Sequence, residues 1–395
     1  MSRNQTVPRS LFFAAFALLA VLQPDASQAQ TSVKNQSDSV VTFISHRTGG
    51  NLLYKMKPDG TNVTPIFGGP ISDVPTLTDG VTLIRQPHWT RQSPNGKYFA
   101  SWVYEKGIPY SKWQGPSRAM LWVGDLDGKW ARIVDPDCHE EFAWSPDSKQ
   151  IAFSIPSGSK HSQGFFRENF RSAEIAICGI DGSNLDFLLE RKGVWVVLDW
   201  SPDGERLLIS RRYFDVPDKT VSDIYEFRMS DALAARKKDK GWDSAIRGSE
   251  WAATSASRFL SKVVRDRDQM DVDDARYSPD GKSLAVVLAD PKNMYAPNDC
   301  ADDESGRMSM MRLLGKVAII DVATGKSQII ADFDDGIRGP ICWSPNGKEI
   351  LFSRYLPKND QREKFVGEHG LSIWAIGRDG NNPRFLTTGL SPDWR

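Results

Sequence analysis

Trp200-Ser201-Pro202-Asp203-Gly204, followed by Glu205 and the apolar run Arg206-Leu207-Leu208-Ile209-Ser210, decides how this chain reads. Pro presets the backbone at the second position of a tight turn, Asp tolerates the third, and Gly accepts the left-handed conformation that closes a hairpin. The phrase recurs as Gln92-Ser93-Pro94-Asn95-Gly96, Trp144-Ser145-Pro146-Asp147-Ser148, Tyr277-Ser278-Pro279-Asp280-Gly281 and Trp343-Ser344-Pro345-Asn346-Gly347. Successive serines lie 52, 56, 77 and 66 residues apart. A period of this size belongs to a solenoid or a propeller, and each unit has room for four short strands.

An apolar strand follows every copy, as in Gln150 to Ser154, Ser283 to Val287 and Glu349 to Ser353. Further on, a second turn signal appears at Asp59-Gly60, Asp127-Gly128, Asp181-Gly182, Thr324-Gly325 and Asp379-Gly380, and a fourth apolar stretch closes the unit. The two ends complement each other. Val40 to Ser45 reads as the second strand of a unit with no turn phrase ahead of it, and Ser391 to Arg395 supplies the missing strand. Pairing them would remove exposed sheet edges. The expectation is an all-β fold, a six-bladed β-propeller of four-stranded blades closed by the C-terminal strand. Its blades fall at about 39–67 plus 390–395, 85–134, 140–190, 196–268, 274–331 and 339–388. A helical insertion at about 230–256, with Ser230 as N-cap, explains the longest spacing; Trp251 to Val264 reads either as a second helix or as the last strand of its blade. Ser148 stands where other copies carry Gly, so Ser148→Gly is expected to relieve up to about 1 kcal/mol of left-handed strain.

Arg3 and Arg9 precede the apolar run Leu11 to Leu22, Pro24 breaks it, and Ser27-Gln28-Ala29 offers small residues for cleavage. Residues 1–29 therefore read as a signal peptide and 30–395 as a single exported propeller, periplasmic or secreted, with no membrane insertion. No Cys lies near the cleavage site, against a lipoprotein. Lys plus Arg and Asp plus Glu both number 50, which gives no electrostatic case for nucleic acid. The 13 Trp read as structural wedges between sheets. Cys138, Cys178, Cys300 and Cys342 show no metal spacing. Cys178 reads as a buried thiol, and export permits a bridge between Cys300 and Cys342.

The Trp-Ser-Pro-Asp-Gly hairpin, the Asp-Gly turn and Ile44-Ser45-His46-Arg47 resemble TolB-type, WD-repeat-like (PD40-type) β-propellers over nearly the whole of 30–395. The resemblance lacks the α/β domain that precedes the propeller in TolB. It implies the fold and leaves the activity open, because similar repeats occur in peptidase propellers and in oligogalacturonate lyase-like proteins.

No Gly-x-Ser-x-Gly elbow, His-Glu-x-x-His helix or phosphate-binding loop occurs. Long loops collect on the face opposite the Ser-Pro-Asp-Gly turns, at 68–85, 105–118, 155–172, 290–315 and 355–370. That face carries Tyr110, Trp113, Arg118, Phe166, Arg167, Arg171, Arg211, Arg212 and Tyr295, aromatic faces beside guanidinium groups that suit a protein or a glycan. His88, His139, Glu140, Asp273, Asp274 and Asp335 precede innermost strands, where carboxylates at a channel mouth would take a hard cation such as Ca²⁺. The favoured expectation is a non-catalytic, monomeric binding propeller. The alternative is a metal-dependent carbohydrate lyase or hydrolase.

Overall fold

The computed structural model describes residues 39–45, 47, 52–66, 90–104, 119–125, 130–134, 141–156, 173–189, 194–212, 223–230, 260–262, 271–295, 312–333, 336–356 and 371–395. Chain contacts divide the sequence into Met1–Val33 and Lys34–Arg395, and every described residue lies in the second unit. In chain order the strands are β1 (Val41–Ser45), β2 (Leu52–Met56), β3 (Thr64–Pro65), β4 (Thr90–Gln92), β5 (Tyr98–Tyr104), β6 (Ala119–Asp125), β7 (Trp130–Val134) and β8 (Phe142–Trp144). They continue as β9 (Gln150–Pro156), β10 (Ala173–Gly179), β11 (Asp186–Leu189), β12 (Val194–Trp200), β13 (Arg206–Arg212), β14 (Asp223–Arg228), β15 (Leu260–Lys262) and β16 (Asp271–Tyr277). The last eight are β17 (Ser283–Tyr295), β18 (Arg312–Asp321), β19 (Ser327–Asp332), β20 (Ile337–Trp343), β21 (Glu349–Tyr355), β22 (Leu371–Gly377), β23 (Arg384–Thr388) and β24 (Leu390–Trp394).

These strands form antiparallel four-stranded sheets, in the orders β24-β1-β2-β3, β4-β5-β6-β7, β8-β9-β10-β11, β12-β13-β14-β15, β16-β17-β18-β19 and β20-β21-β22-β23. The C-terminal strand does pair with the first: Trp394 stands opposite Val41. Of the two readings of Trp251 to Val264, the strand is observed, because β15 pairs with β14. Residues 231–259, which hold most of the expected helical insertion, lie outside the described residues. Part of the expected loop at 290–315 is strand instead. Beyond a register shift, Met294 and Tyr295 of β17 still pair with Leu313 and Arg312 of β18.

The turn phrase is held by more than its Pro and Gly. In every copy the Ser hydroxyl donates to the Asp or Asn side chain two residues on, at 2.5 to 2.8 Å. The same hydroxyl accepts the amide of the residue that opens the next strand: Tyr98, Gln150, Arg206, Ser283 and Glu349. A Ser-x-Asp pair thus satisfies backbone donors that a tight turn would leave open. Ser148 has φ 62°, as its place in the phrase requires. Its hydroxyl also accepts the amide of Asn95 in the preceding copy at 3.0 Å, an inter-sheet bond that the sequence did not reveal.

Alternation along each strand assigns its two faces to two different cores. In β13, Leu207 and Ile209 pack with Ala152, Ile175 and Trp195, whereas Leu208 packs with Ala275, Tyr277 and Leu284. Both faces are dry, so Leu207, Leu208 and Ile209 are all fully buried. The same division recurs where Phe99 meets Ile44 and Leu53, where Phe142 and Trp144 meet Ala100 and Leu121, where Trp343 meets Ala285 and Val287, and where Trp394 and Phe43 meet Cys342 and Leu351. Burial of Trp144, Trp195, Trp200, Trp343 and Trp394 agrees with a structural role for the tryptophans.

Candidate functional site

One column of the repeat carries an unexpected chemistry. The residue just before the opening residue of each phrase, aromatic except at Gln92, is Arg91, Ala143, Asp199, Arg276 or Cys342, and in β24, where Trp394 takes the aromatic place, it is Asp393. These positions lie on the first strands of the sheets, and their polar groups reach from sheet to sheet. Asp393 Oδ2 accepts the Gln92 amide at 2.7 Å, and Asp199 Oδ2 accepts the Tyr277 amide at 2.8 Å. Three residues ahead of Tyr277, Asp274 Oδ2 accepts the Ile341 amide at 2.9 Å, and beside it Asp273 Oδ2 accepts that of Gly339 at 2.7 Å. Backbone carbonyls of the arginines serve the next tryptophans, with Trp144 Nε1 donating to Arg91 O and Trp343 Nε1 to Arg276 O, both at 3.1 Å.

The guanidinium groups turn inward as well. Arg91 donates to the carbonyls of Phe142 and Leu198, and Arg276 donates to the carbonyls of Leu198 and Ala275 and pairs with Asp274 Oδ1 at 2.7 Å. Burial dominates the acidity of Asp199 and Asp274. Asp199 is pushed up to about 6 by desolvation, against the opposing pull of the Tyr277 amide and Arg91. Asp274 is raised well above the usual carboxylate range, again by desolvation first, with Arg91 and the Ile341 amide opposing. Cys342 is a free, buried thiol raised well above its ordinary value by burial and by the Asp393 charge. Cys178 is likewise free and buried, pushed up to about 12 by desolvation.

A second set of groups stands at the far ends of the second strands, away from the turn phrases. Arg47, just past β1, lies 5.4 Å from the Phe43 ring centre and 5.0 Å from that of Tyr54. It also donates to Ser45 Oγ, Thr387 Oγ1 and the Thr388 carbonyl. Arg211 at the end of β13 lies 5.6 Å from the Trp195 ring. Arg354 in β21 lies 4.0 Å from Phe333 and 4.8 Å from Trp374. In three sheets, therefore, an arginine near the end of the second strand is stacked on aromatic rings, which fixes a planar donor there.

Of the expected loop-face residues, Arg211 is placed in this second set. Arg212 pairs through its backbone with Val194, and Tyr295 with Arg312. Tyr110, Trp113, Arg118, Phe166, Arg167 and Arg171 lie outside the described residues, as do His88, His139, Glu140 and Asp335 of the expected cation set. Asp273 and Asp274 are described, and they do not fit a hard cation: one oxygen of each is given to a backbone amide, and Arg276 occupies the other side of Asp274. Among the described residues no group of three or more His, Cys, Asp or Glu side chains could hold a metal ion. The same restriction applies to membranes, since no described helix is long and apolar enough to cross one.

Sequence reasoning missed Arg91, Asp199, Arg276 and Asp393. The signal was present as a column of charges inside otherwise apolar strands, visible once the phrases are aligned on their aromatic residue.

No protein-family model matches the sequence, and no curated protein matches it either. Solved structures do match. TolB from Acinetobacter baumannii superposes with TM-score 0.53 at 16% identity, over 93% of this chain and 69% of that one. The fold is a TolB-like β-propeller. A putative TolB from Agrobacterium tumefaciens gives TM-score 0.49 at 15% identity, over 89% of this chain and 91% of that one. An oligogalacturonate lyase in complex with manganese gives 0.44 at 11% identity, over 83% and 71% of the two chains. Identities this low concern the TolB-like propeller as a fold, which hosts unrelated activities.

Proposed function

We propose that the chain is an exported, monomeric six-bladed propeller that binds a protein or glycan through its long-loop face and performs no catalysis. The four-stranded sheets are its blades, and the ring closes where β24 completes the sheet of β1. Support for the ring comes from the apolar clusters, which join each sheet to the next and the last to the first.

The observation that carries the binding reading is the occupation of the central carboxylates. Asp199, Asp273, Asp274 and Asp393 accept backbone amides of neighbouring sheets, so they act as fasteners and are not displayed to a substrate. Stacked Arg47, Arg211 and Arg354 at the loop bases support placing recognition at the other end of the strands. Export to the periplasm or outside the cell follows from the apolar run at Leu11 to Leu22.

The test is a glycan array and a cross-linking search in the exported compartment, repeated with Trp113→Ala, Phe166→Ala and Arg211→Ala. Binding lost in these variants at unchanged Tm supports the loop face. Ligand retention by all three variants refutes it. Metal-dependent cleavage of an acidic polysaccharide by the wild-type protein, lost on replacing His88 or His139, would establish the lyase or hydrolase reading instead.

A further inference from the structure

Gly389 lets the connection between β23 and β24 pass close to β1. At its φ of 151° an added Cβ would lie 2.6 Å from the Ile44 carbonyl oxygen and 2.8 Å from the Phe43 ring. That approach seats Thr387 and Thr388 against Arg47. The Arg47 guanidinium stands over the Phe43 and Tyr54 rings, and its Nε donates to Ser45 Oγ at 3.0 Å. Its Nη2 uses both protons, on Thr387 Oγ1 at 2.8 Å and on the Thr388 carbonyl at 2.9 Å. Ser45 is 1% exposed and Thr387 7%, so this cradle is held by the packed sheet ends.

The cradle contains no negative charge. Among the described residues Arg47 forms no ion pair, and the titratable group that acts on it is the Tyr54 phenol. Arg206, Arg276 and Arg384, by contrast, face Glu226, Asp274 and Glu349. Nη1 of Arg47 makes no hydrogen bond among the described residues and is not enclosed by protein, since the side chain is only half-buried. Thr387 Oγ1 accepts from Nη2, which leaves its own proton to donate. The two remaining donors, Nη1 and the Thr387 hydroxyl, therefore lie side by side along one edge of the guanidinium. Such a pair matches the two oxygens of a carboxylate, and a partly desolvated cation is stabilised by the charge. The rings beneath are 0% and 2% exposed, so they offer no face on which a sugar could stack. A carboxylate on a flexible stem fits, and an Asp or Glu side chain supplies one.

We propose that Arg47 and Thr387 form a carboxylate subsite that takes an Asp or Glu side chain from an acidic segment of a protein partner. The inference rests on the reading of the long-loop face as a binding surface, and it gives the partner of that face its chemistry.

Fluorescein-labelled hexaglutamate, with hexaglutamine as control, tests this by anisotropy at pH 7. Hexaglutamate should bind the wild-type protein and hexaglutamine should not. Arg47→Gln should weaken binding on the order of tenfold to a hundredfold, Arg47→Lys less, and Thr387→Val should weaken it in the same direction. Should Arg47→Gln not fold, phenylglyoxal labelling of the wild-type protein decides: hexaglutamate should slow modification of Arg47, and an unchanged rate overturns the subsite. Hexaglutamate binding that survives Arg47→Gln and Thr387→Val but is lost in Trp113→Ala or Arg211→Ala overturns the subsite and leaves the loop face standing. Absence of hexaglutamate binding also overturns the subsite, while the face is judged separately by the cross-linking search. Binding of a polyuronate through Arg47 in place of hexaglutamate overturns the assignment to a protein partner.

Discussion

Replacing Ser148 by Gly tests how much of the turn phrase is local. Taken alone, the left-handed φ of 62° says that Gly should be better by about 1 kcal/mol. Two effects oppose this. Gly gains freedom in the unfolded chain, which costs about 0.4 to 1 kcal/mol and cancels most of the relief. Loss of the Ser148 hydroxyl also removes the partner of the Asn95 amide, which costs about 0.5 to 1.5 kcal/mol. Ser148 itself is 2% exposed but Asn95 is exposed, so the bond is only partly buried and water can in part replace it. The net expectation is a loss of up to about 1.5 kcal/mol, reversing the sign read from the sequence. Gly204 supplies the control, because it holds the same place in its own phrase at φ 78° and an added Cβ would meet no atom within 4 Å. Gly204→Ser acquires the strain without a partner, and the reduced freedom of the unfolded chain offsets most of it, so the loss should not exceed about 0.6 kcal/mol. Urea unfolding of both variants against wild type is the assay. A gain in stability for Ser148→Gly would refute the inter-sheet bond as a contributor.

Further expectations concern the fasteners between sheets. Asp199 is raised to about 6 when folded, above its unfolded value, so its neutral form stabilises the fold at low pH and that contribution is lost as pH rises between about 4 and 6. Asp199→Asn should then match wild type at pH 4 and exceed it by about 1 to 3 kcal/mol at pH 8, measured by urea unfolding; equal stability at pH 8 would contradict the buried placement. Trp394→Ala should cost about 3 to 5 kcal/mol, since the ring is 2% exposed in the core shared by β1 and β20, and a smaller loss would mean that β24 is not seated there. Gly182→Ala should lower Tm clearly, because its Cβ would lie 2.7 Å from the Ile133 carbonyl at φ 79°. In a protein with Cys138 and Cys300 replaced by Ser, Cys178 and Cys342 should resist a thiol reagent until unfolding, and rapid labelling of the native protein would contradict their burial.

The repeated phrase made the strands and their turns legible because its causes are local. Pro, Asp and Gly act within four residues, and an apolar run long enough for one strand follows each time. The expected pairing of Ser391 to Arg395 with the first strand was legible for a related reason, because a unit that lacks a strand and a strand that lacks a unit can be counted. The central polar cluster was not legible. Asp199 and Asp274 look like any exposed acidic residue until the neighbouring first strand brings an amide to within 2.8 to 2.9 Å of a carboxylate oxygen. Arg91 and Leu198 lie 107 residues apart, in sheets with the β8 sheet packed between them, and meet only when the sheets assemble. The sequence by itself determined which segments extend and where they turn, through backbone preferences that act over a few residues. Only the tertiary structure decided what the charged side chains do, because burial and partners set the state of a charge, and both come from residues far along the chain.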